Sequence, residues 1–272
     1  RPTLIPKNLE ALDDYALYQL TPAQISQLTS ELTSTTAPYR RGVLWSVLWE
    51  NFLEKKITTP DLIALILQHL PQEKTEIITQ FMLNKLQTLF WVYLSPSERT
   101  RYQAQIEKNL HSRWQEKTFF KAYQNLALSP AALKYLAHPP MPLDEEESMA
   151  LAFELALKKP TDAHDILNHH EKLIKGADNL KRFQFVRPAL HPDESSRDAF
   201  FTALTLAKNR SVTTWVIEAL HYLHHPLRTM SRLKYLAPTL ALVPEIKQSG
   251  PLFFAEDWIE TTFAPHNSPE AW

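Results

Sequence analysis

Residues 95–98 read Ser95-Pro96-Ser97-Glu98 and open an apolar-periodic stretch. A serine hydroxyl accepts from the orphan N–H groups of a helix's first turn, and proline at the first helical position loses nothing by lacking an N–H. A glutamate three residues after the cap completes a capping box. The same device, Ser or Thr followed by Pro, stands at Thr21-Pro22, Thr59-Pro60 and Ser129-Pro130. From Pro22 to Pro60 is 38 residues, from Pro60 to Pro96 is 36 and from Pro96 to Pro130 is 34; Pro160 follows 30 later. Each interval holds two helices of ordinary length with short connections, the period of stacked antiparallel helix pairs.

On this spacing the first half is expected to form helices over 22–33, 38–54, 60–70, 75–93, 96–114, 116–127, 130–137 and 144–158. The second half continues with 162–175, 177–186, 194–208, 211–224, 229–236, 238–248 and 256–264. Ile78, Phe81, Met82, Leu86, Leu89 and Tyr93 make one apolar stripe at the helical period; Leu44, Val47, Leu48 and Phe52 make another, flanked by Trp45 and Trp49. Both are read as core. Residues 138–147, HPPMPLDEEE, stop one helix at Pro139, Pro140 and Pro142 and start the next with Asp144 as cap. Glu145, Glu146 and Glu147 then place negative charge at its positive end, which explains them without a metal or substrate. Residues 1–20 carry Pro2 and Pro6 without a stripe. They are expected to be a linker, or a strand belonging to a preceding domain, ahead of one helical-repeat domain over 21–272.

Composition narrows the chemistry. Only 3 glycines occur in 272 residues, where average usage would give roughly 19. Phosphate loops, dinucleotide folds and β-sandwiches depend on glycine, and Gly42, Gly176 and Gly250 stand too far apart to build such a loop. With 29 basic and 30 acidic residues the formal charge is −1. That is not the basic surplus nucleic acid or an anionic membrane attracts, so neither is expected as a partner. Absence of cysteine removes disulfides, thiolate ligands and a thiol nucleophile. No apolar run reaches the ~18–20 residues of a membrane span. The chain opens on Arg1 rather than methionine, and is read as the end of a longer protein.

A zinc peptidase helix needs H-E-x-x-H, two imidazoles one turn apart with a glutamate activating water. The one His-Glu pair, His170-Glu171, continues Lys172-Leu173-Ile174 and does not build it. His221-x-x-His224-His225 with Glu218 is the best remaining metal candidate, since His221 and His225 share a helix face. Pro226 follows at once, so helix capping and packing are the preferred reading. His164, His169 and His170 are read as a solvated helix face. Lys172, Lys175, Lys181, Arg182, Arg187, Arg197, Lys208 and Arg210 form a basic stretch that could hold a peptide carboxylate. Ion pairs between neighbouring helices explain these residues more simply.

The second half then becomes recognisable. LKRFQFVRPALHPDESSRDAFFTAL (180–204), KNRSVTTWVIEALHYLHHPLR (208–228) and YLAPTLALVPEIKQSGPLFFAEDWIETTFAPHNSPEAW (235–272) resemble the C-terminal helical domain of the gluzincin zinc aminopeptidases related to aminopeptidase N. Its most specific marks are Asn209-Arg210, Trp215-Val216, His225-Pro226-Leu227-Arg228, Glu245 to Gly250 before Phe253-Phe254, Trp258, and His266 with Ser268. Residues 39–73 look like the first helices of that domain. Residues 4–20 look like the segment leading into it, altered by Lys7 between Pro6 and Asn8 and by Asp14 before Tyr15.

The resemblance implies an all-α fold, a curved α-α superhelix of stacked antiparallel helix pairs like HEAT or armadillo arrays. It also implies a fragment without catalytic or metal-binding residues of its own, with zinc and the H-E-x-x-H in an upstream catalytic domain of the same chain. Such a domain covers the active-site chamber, limits peptide access and touches the tail of the peptide substrate. Arg210 and Arg228, inside family-like motifs, are the candidate chamber contacts. A free-standing helical-repeat scaffold that binds protein along one face is the competing reading, and a histidine-rich metalloenzyme built on His221 is a third. At Gly250, a helix C-cap with positive φ is expected.

Overall fold

The computed structural model describes residues 3–4, 17–139 and 141–266. Pro2, Pro6, Lys7, Asn8, Asp14, Tyr15, Pro140 and Ser268, named above, lie outside them. The fold is all-α. The chain divides into two compact units, Arg1–Leu126 and Ala127–Trp272.

In the first unit the two described stretches of the leading segment, β1 (Thr3–Leu4) and β2 (Leu17–Tyr18), pair with each other in parallel. Buried Asn51 fixes the second of them: its amide donates to Tyr18 O at 2.8 Å while its oxygen accepts from Leu20 N at 3.0 Å. Six helices follow, α1 (Pro22–Ser34), α2 (Pro38–Leu53), α3 (Thr59–His69), α4 (Glu76–Thr88), α5 (Pro96–His111) and α6 (Lys117–Leu126). Thr21 and Ser95 cap α1 and α5 through full capping boxes, with Gln24 and Glu98 as the reciprocal partners. At α3 the cap is Thr58, not Thr59. Thr58 holds the extended backbone a cap needs and accepts from Asp61 N, which moves Thr59 and Pro60 into the first turn.

The stripe on α4 packs as expected through Ile78, Met82, Leu86 and Leu89, with Leu44, Val47, Leu48 and Phe52 of α2 also buried. Its far end departs from the sequence reading. After Thr88 the helix widens into a π-helical turn, Leu89–Tyr93, which leaves Tyr93 partly in solvent against Trp49 and Phe52. Arg99 closes that turn by donating to Leu94 O at 3.0 Å.

The second unit contains α7 (Pro130–Leu136), α8 (Glu145–Lys158), α9 (Ala163–Glu171), α10 (Ala177–Val186), α11 (Glu194–Leu204), α12 (Thr213–Leu223), α13 (Leu236–Ser249) and α14 (Phe254–Phe263). Short 3₁₀ segments, Arg187–Leu190, Ala207–Arg210 and Pro226–Tyr235, join several of them. Ser129 and Asp144 cap α7 and α8 as expected, the latter in a capping box with Glu147. The core gathers Phe153 stacked on Phe183 at 4.8 Å, with Tyr222, Phe254 and Trp258. Helices expected over 229–236 and 238–248 are instead one 3₁₀ segment and then α13, which runs through Pro238 and Pro244. Pro238 falls in the first turn, where its missing N–H is an orphan anyway, and Pro244 is exposed, as is Leu240, the residue whose carbonyl it leaves without a donor.

No described glycine has positive φ; Lys55, at φ 59°, is the residue that adopts it. Lys55 N donates to Phe52 O and Lys56 N to Asn51 O, a Schellman closure of α2 with lysine where glycine is usual. Gly250 does cap α13, its N–H donating to Ile246 O, but with φ −95°, so the expected positive φ is not found. Glycine is needed there for space. A Cβ would lie 2.7 Å from Ile246 O and 3.0 Å from a ring carbon of Phe254.

Candidate functional site

Arg210 ends the 3₁₀ turn before α12 and is 5% exposed. One guanidinium nitrogen donates to Leu204 O at 2.6 Å, the open end of α11, and another pairs with Glu245 of α13. The guanidinium carbon sits 5.9 Å from the Trp258 ring centre. Glu245 also accepts from Ser249 Oγ at 2.8 Å. Beside this junction a cleft of about 180 Å³ is lined by Arg210, Ser211, Thr213, Ser249, Gly250 and Phe254. Arg210, Glu245, Gly250 and Trp258, four marks of the resemblance, therefore meet in one place.

Arg228 is 8% exposed and donates to Ala189 O at 3.3 Å and Tyr222 O at 3.5 Å. Burial, with Arg197 nearby, lowers its pKa to about 10, still charged at neutral pH. Both candidate arginines thus bind backbone carbonyls inside the second unit. Neighbouring arginines behave likewise: Arg197 donates to His191 O and Pro192 O, both at 2.7 Å, and Arg232 to His224 O at 2.8 Å.

The histidines divide by position. His221 lies in the last turn of α12, His224 is its C-cap, and His225 lies beyond. His225 Nδ1 accepts from Leu227 N at 3.2 Å and caps the following 3₁₀ segment. His224 Nδ1 faces His266 Nε2 at 3.3 Å with both rings buried. Burial first, then the neighbouring imidazole and Arg232, push His224 down to about 3; burial and Arg232 push His266 down to about 4. Both are neutral at physiological pH. Glu218 is held by Arg182 in a bidentate pair at 2.7 and 2.8 Å and does not join the histidines. Among the described residues no three His, Asp or Glu side chains converge as metal ligands.

A second cleft of about 280 Å³ lies where α8 meets the turn before α10, lined by Leu143, Ser148, Met149, His170 and Ile174 among others. Ser148 Oγ and His170 Nδ1 are 3.3 Å apart there. Consecutive amides beside this pair, Lys175 N and Gly176 N, already donate to Glu145, so they are not available to an oxyanion. Within the basic stretch Arg182 pairs with Glu218, Arg187 with Glu171 and Asn168, and Arg210 with Glu245, while Lys181 meets Asp178 within α10.

Sequence reasoning missed the partners of three polar residues that organise these regions. Asn51 and Glu145 join segments about 30 residues apart, and no local pattern marks either partner. His266 was seen only as a family mark, and its pairing with His224 spans 42 residues. No protein-family model matches the chain, and comparison with curated proteins finds no match. Among the described residues no helix is long and apolar enough to cross a membrane.

Proposed function

We propose that this chain is the non-catalytic C-terminal helical domain of a zinc-dependent aminopeptidase. Its roles are to cover the active-site chamber of an upstream catalytic domain and to limit peptide access to it. The observation that carries the reading is that four residues marking the resemblance, Arg210, His225, Arg228 and His266, are buried polar groups of the second unit. Arg210, Glu245 and Trp258 form one junction, His266 pairs with His224, and His225 and Arg228 bind backbone groups. A family motif is expected to record such positions, because replacing one member strands the others in a dry environment. Zinc belongs to the proposed catalytic domain and would there polarise the peptide carbonyl and activate water. This chain's own residues contribute confinement and contact with the peptide tail.

The test is the complete polypeptide encoded by the reading frame in which this chain lies. An upstream H-E-x-x-H and chelator-sensitive release of N-terminal residues from aminoacyl-coumarin substrates are expected. Removing residues 17–266 should change the ratio of activity on long and short peptides. Arg210→Ala and Arg228→Ala, which strand Glu245 and the carbonyls of Leu204 and Ala189, should lower the thermal midpoint of the domain. A complete polypeptide that lacks the zinc motif and releases no N-terminal residue overturns the proposal.

A further inference from the structure

Where α13 meets α14, Leu252 and Phe253 stand 86% and 64% exposed, two consecutive large apolar side chains in water. The backbone beneath them is fixed. Gly250 N donates to Ile246 O at 2.8 Å, Phe254 N to Pro251 O at 3.1 Å and Asp257 N to Phe253 O at 3.0 Å. Phe253, Glu256, Asp257 and Glu260 recur at i, i+3, i+4 and i+7 and share one face of α14, opposite buried Phe254, Trp258 and Thr262. None of the three carboxylates makes an ion pair among the described residues. The helix dipole accounts for Glu256 and Asp257 in the first turn. It accounts neither for Glu260, further along, nor for the exposed pair.

We infer that this face docks a segment of another polypeptide that carries lysine or arginine beside an apolar anchor. Charge complementarity selects the partner: the apolar pair supplies the contact that excludes water, and the carboxylates beside it attract cations and repel acidic chains. A second copy of this chain fits poorly. A two-fold contact through the same face would set Glu256, Asp257 and Glu260 against their own counterparts. The inference does not rest on the aminopeptidase reading.

A fluorescein-labelled amphipathic peptide of leucine and lysine is the probe, with its leucine–glutamate counterpart as control, followed by fluorescence anisotropy at low and physiological salt. Binding of the lysine peptide alone, weakening with salt, is expected. Leu252→Ser with Phe253→Ser should weaken it by about tenfold or more. Glu256→Gln, Asp257→Asn and Glu260→Gln together should weaken it and flatten its salt dependence. All five side chains point to solvent, and unchanged circular dichroism verifies that the variants fold. No binding, equal binding of both peptides, or binding indifferent to both variant sets overturns the inference. Self-association in sedimentation that Phe253→Ser abolishes would assign the face to a second copy and overturn it too.

Discussion

Glu145, the first residue of α8, caps the N-terminus of α10: its carboxylate accepts from Gly176 N at 3.1 Å. The same group accepts from Lys175 N and from the Asn179 amide, both at 2.7 Å. Gly176 occupies the cap position of α10 and has no side chain with which to cap it. A carboxylate from 31 residues earlier does so instead, and a Cβ on Gly176 would lie 2.7 Å from its Oε1. The acidic run at the start of α8 therefore serves two helices.

Glu145→Gln and Gly176→Ala are each expected to lower the thermal midpoint, and the double variant should fall well short of their sum. Gly176→Ala acts chiefly by displacing Glu145, so it has little left to disturb once that carboxylate is gone. The Asn179 amide first, then the backbone amides, hold the Glu145 carboxyl below its ordinary range. Its contribution is therefore present above the ordinary carboxylate pKa and is lost as pH falls through the lower folded value. Glu145→Gln should remove that part of the acid dependence. Additive midpoints would show that the two residues are not coupled.

The glycines and Lys55 separate space from backbone conformation. Gly42 lies inside α2, and a Cβ added there would meet nothing within 4 Å, so Gly42→Ala should stabilise by about 0.5–1 kcal/mol. Lys55→Gly should stabilise by about 1 kcal/mol, because it removes a Cβ from a left-handed position. Gly250→Ala should destabilise by about 1–3 kcal/mol despite its ordinary φ, since backbone Ile246 O has no way to yield. Urea midpoints of the three variants check the pattern. A Gly250→Ala variant as stable as the parent would mean that α13 and α14 part easily.

His224 and His266 make stability fall on acidification. Their folded pKa values, about 3 and about 4, lie below the unfolded value of 6.5. Between these limits the unfolded chain takes up protons that the folded chain refuses. Stability is thus full above pH 6.5 and declines progressively toward pH 4. His266→Phe should flatten that decline in urea titrations followed across this range. An unchanged slope would place the titration elsewhere.

Helix starts were legible because they are local. Ser95, Ser129 and Asp144 carry both the cap and its reason within four residues. Thr58 was missed by one position because two adjacent threonines offer the same hydroxyl. Helix ends were harder to read. The expected helices over 96–114, 162–175 and 194–208 stop at His111, Glu171 and Leu204. Glycine, the usual stop signal, is nearly absent, and the groups that close helices here are often remote. Arg113 donates to Leu70 O and Glu73 O beyond α3, Asn109 to Leu67 O, and Arg228 to Ala189 O. The candidate site was legible in its members and not in its geometry. Arg210 was singled out as a basic residue in a family-like motif, but its partners Leu204 O, Glu245 and Trp258 are assembled only by folding.

These remote closures bear on how the units come apart. In a stacked helical array each repeat touches its neighbours, and terminal helices can peel away while the rest holds. Here α3 relies on Asn109 and Arg113 for carbonyls at its end, and α10 relies on Glu145 for the amide of its cap residue, Gly176. A short peptide carrying either helix alone would lack its terminator and fray. Losing α5 or the start of α8 strips the end of another helix, so those ends melt together with their partners.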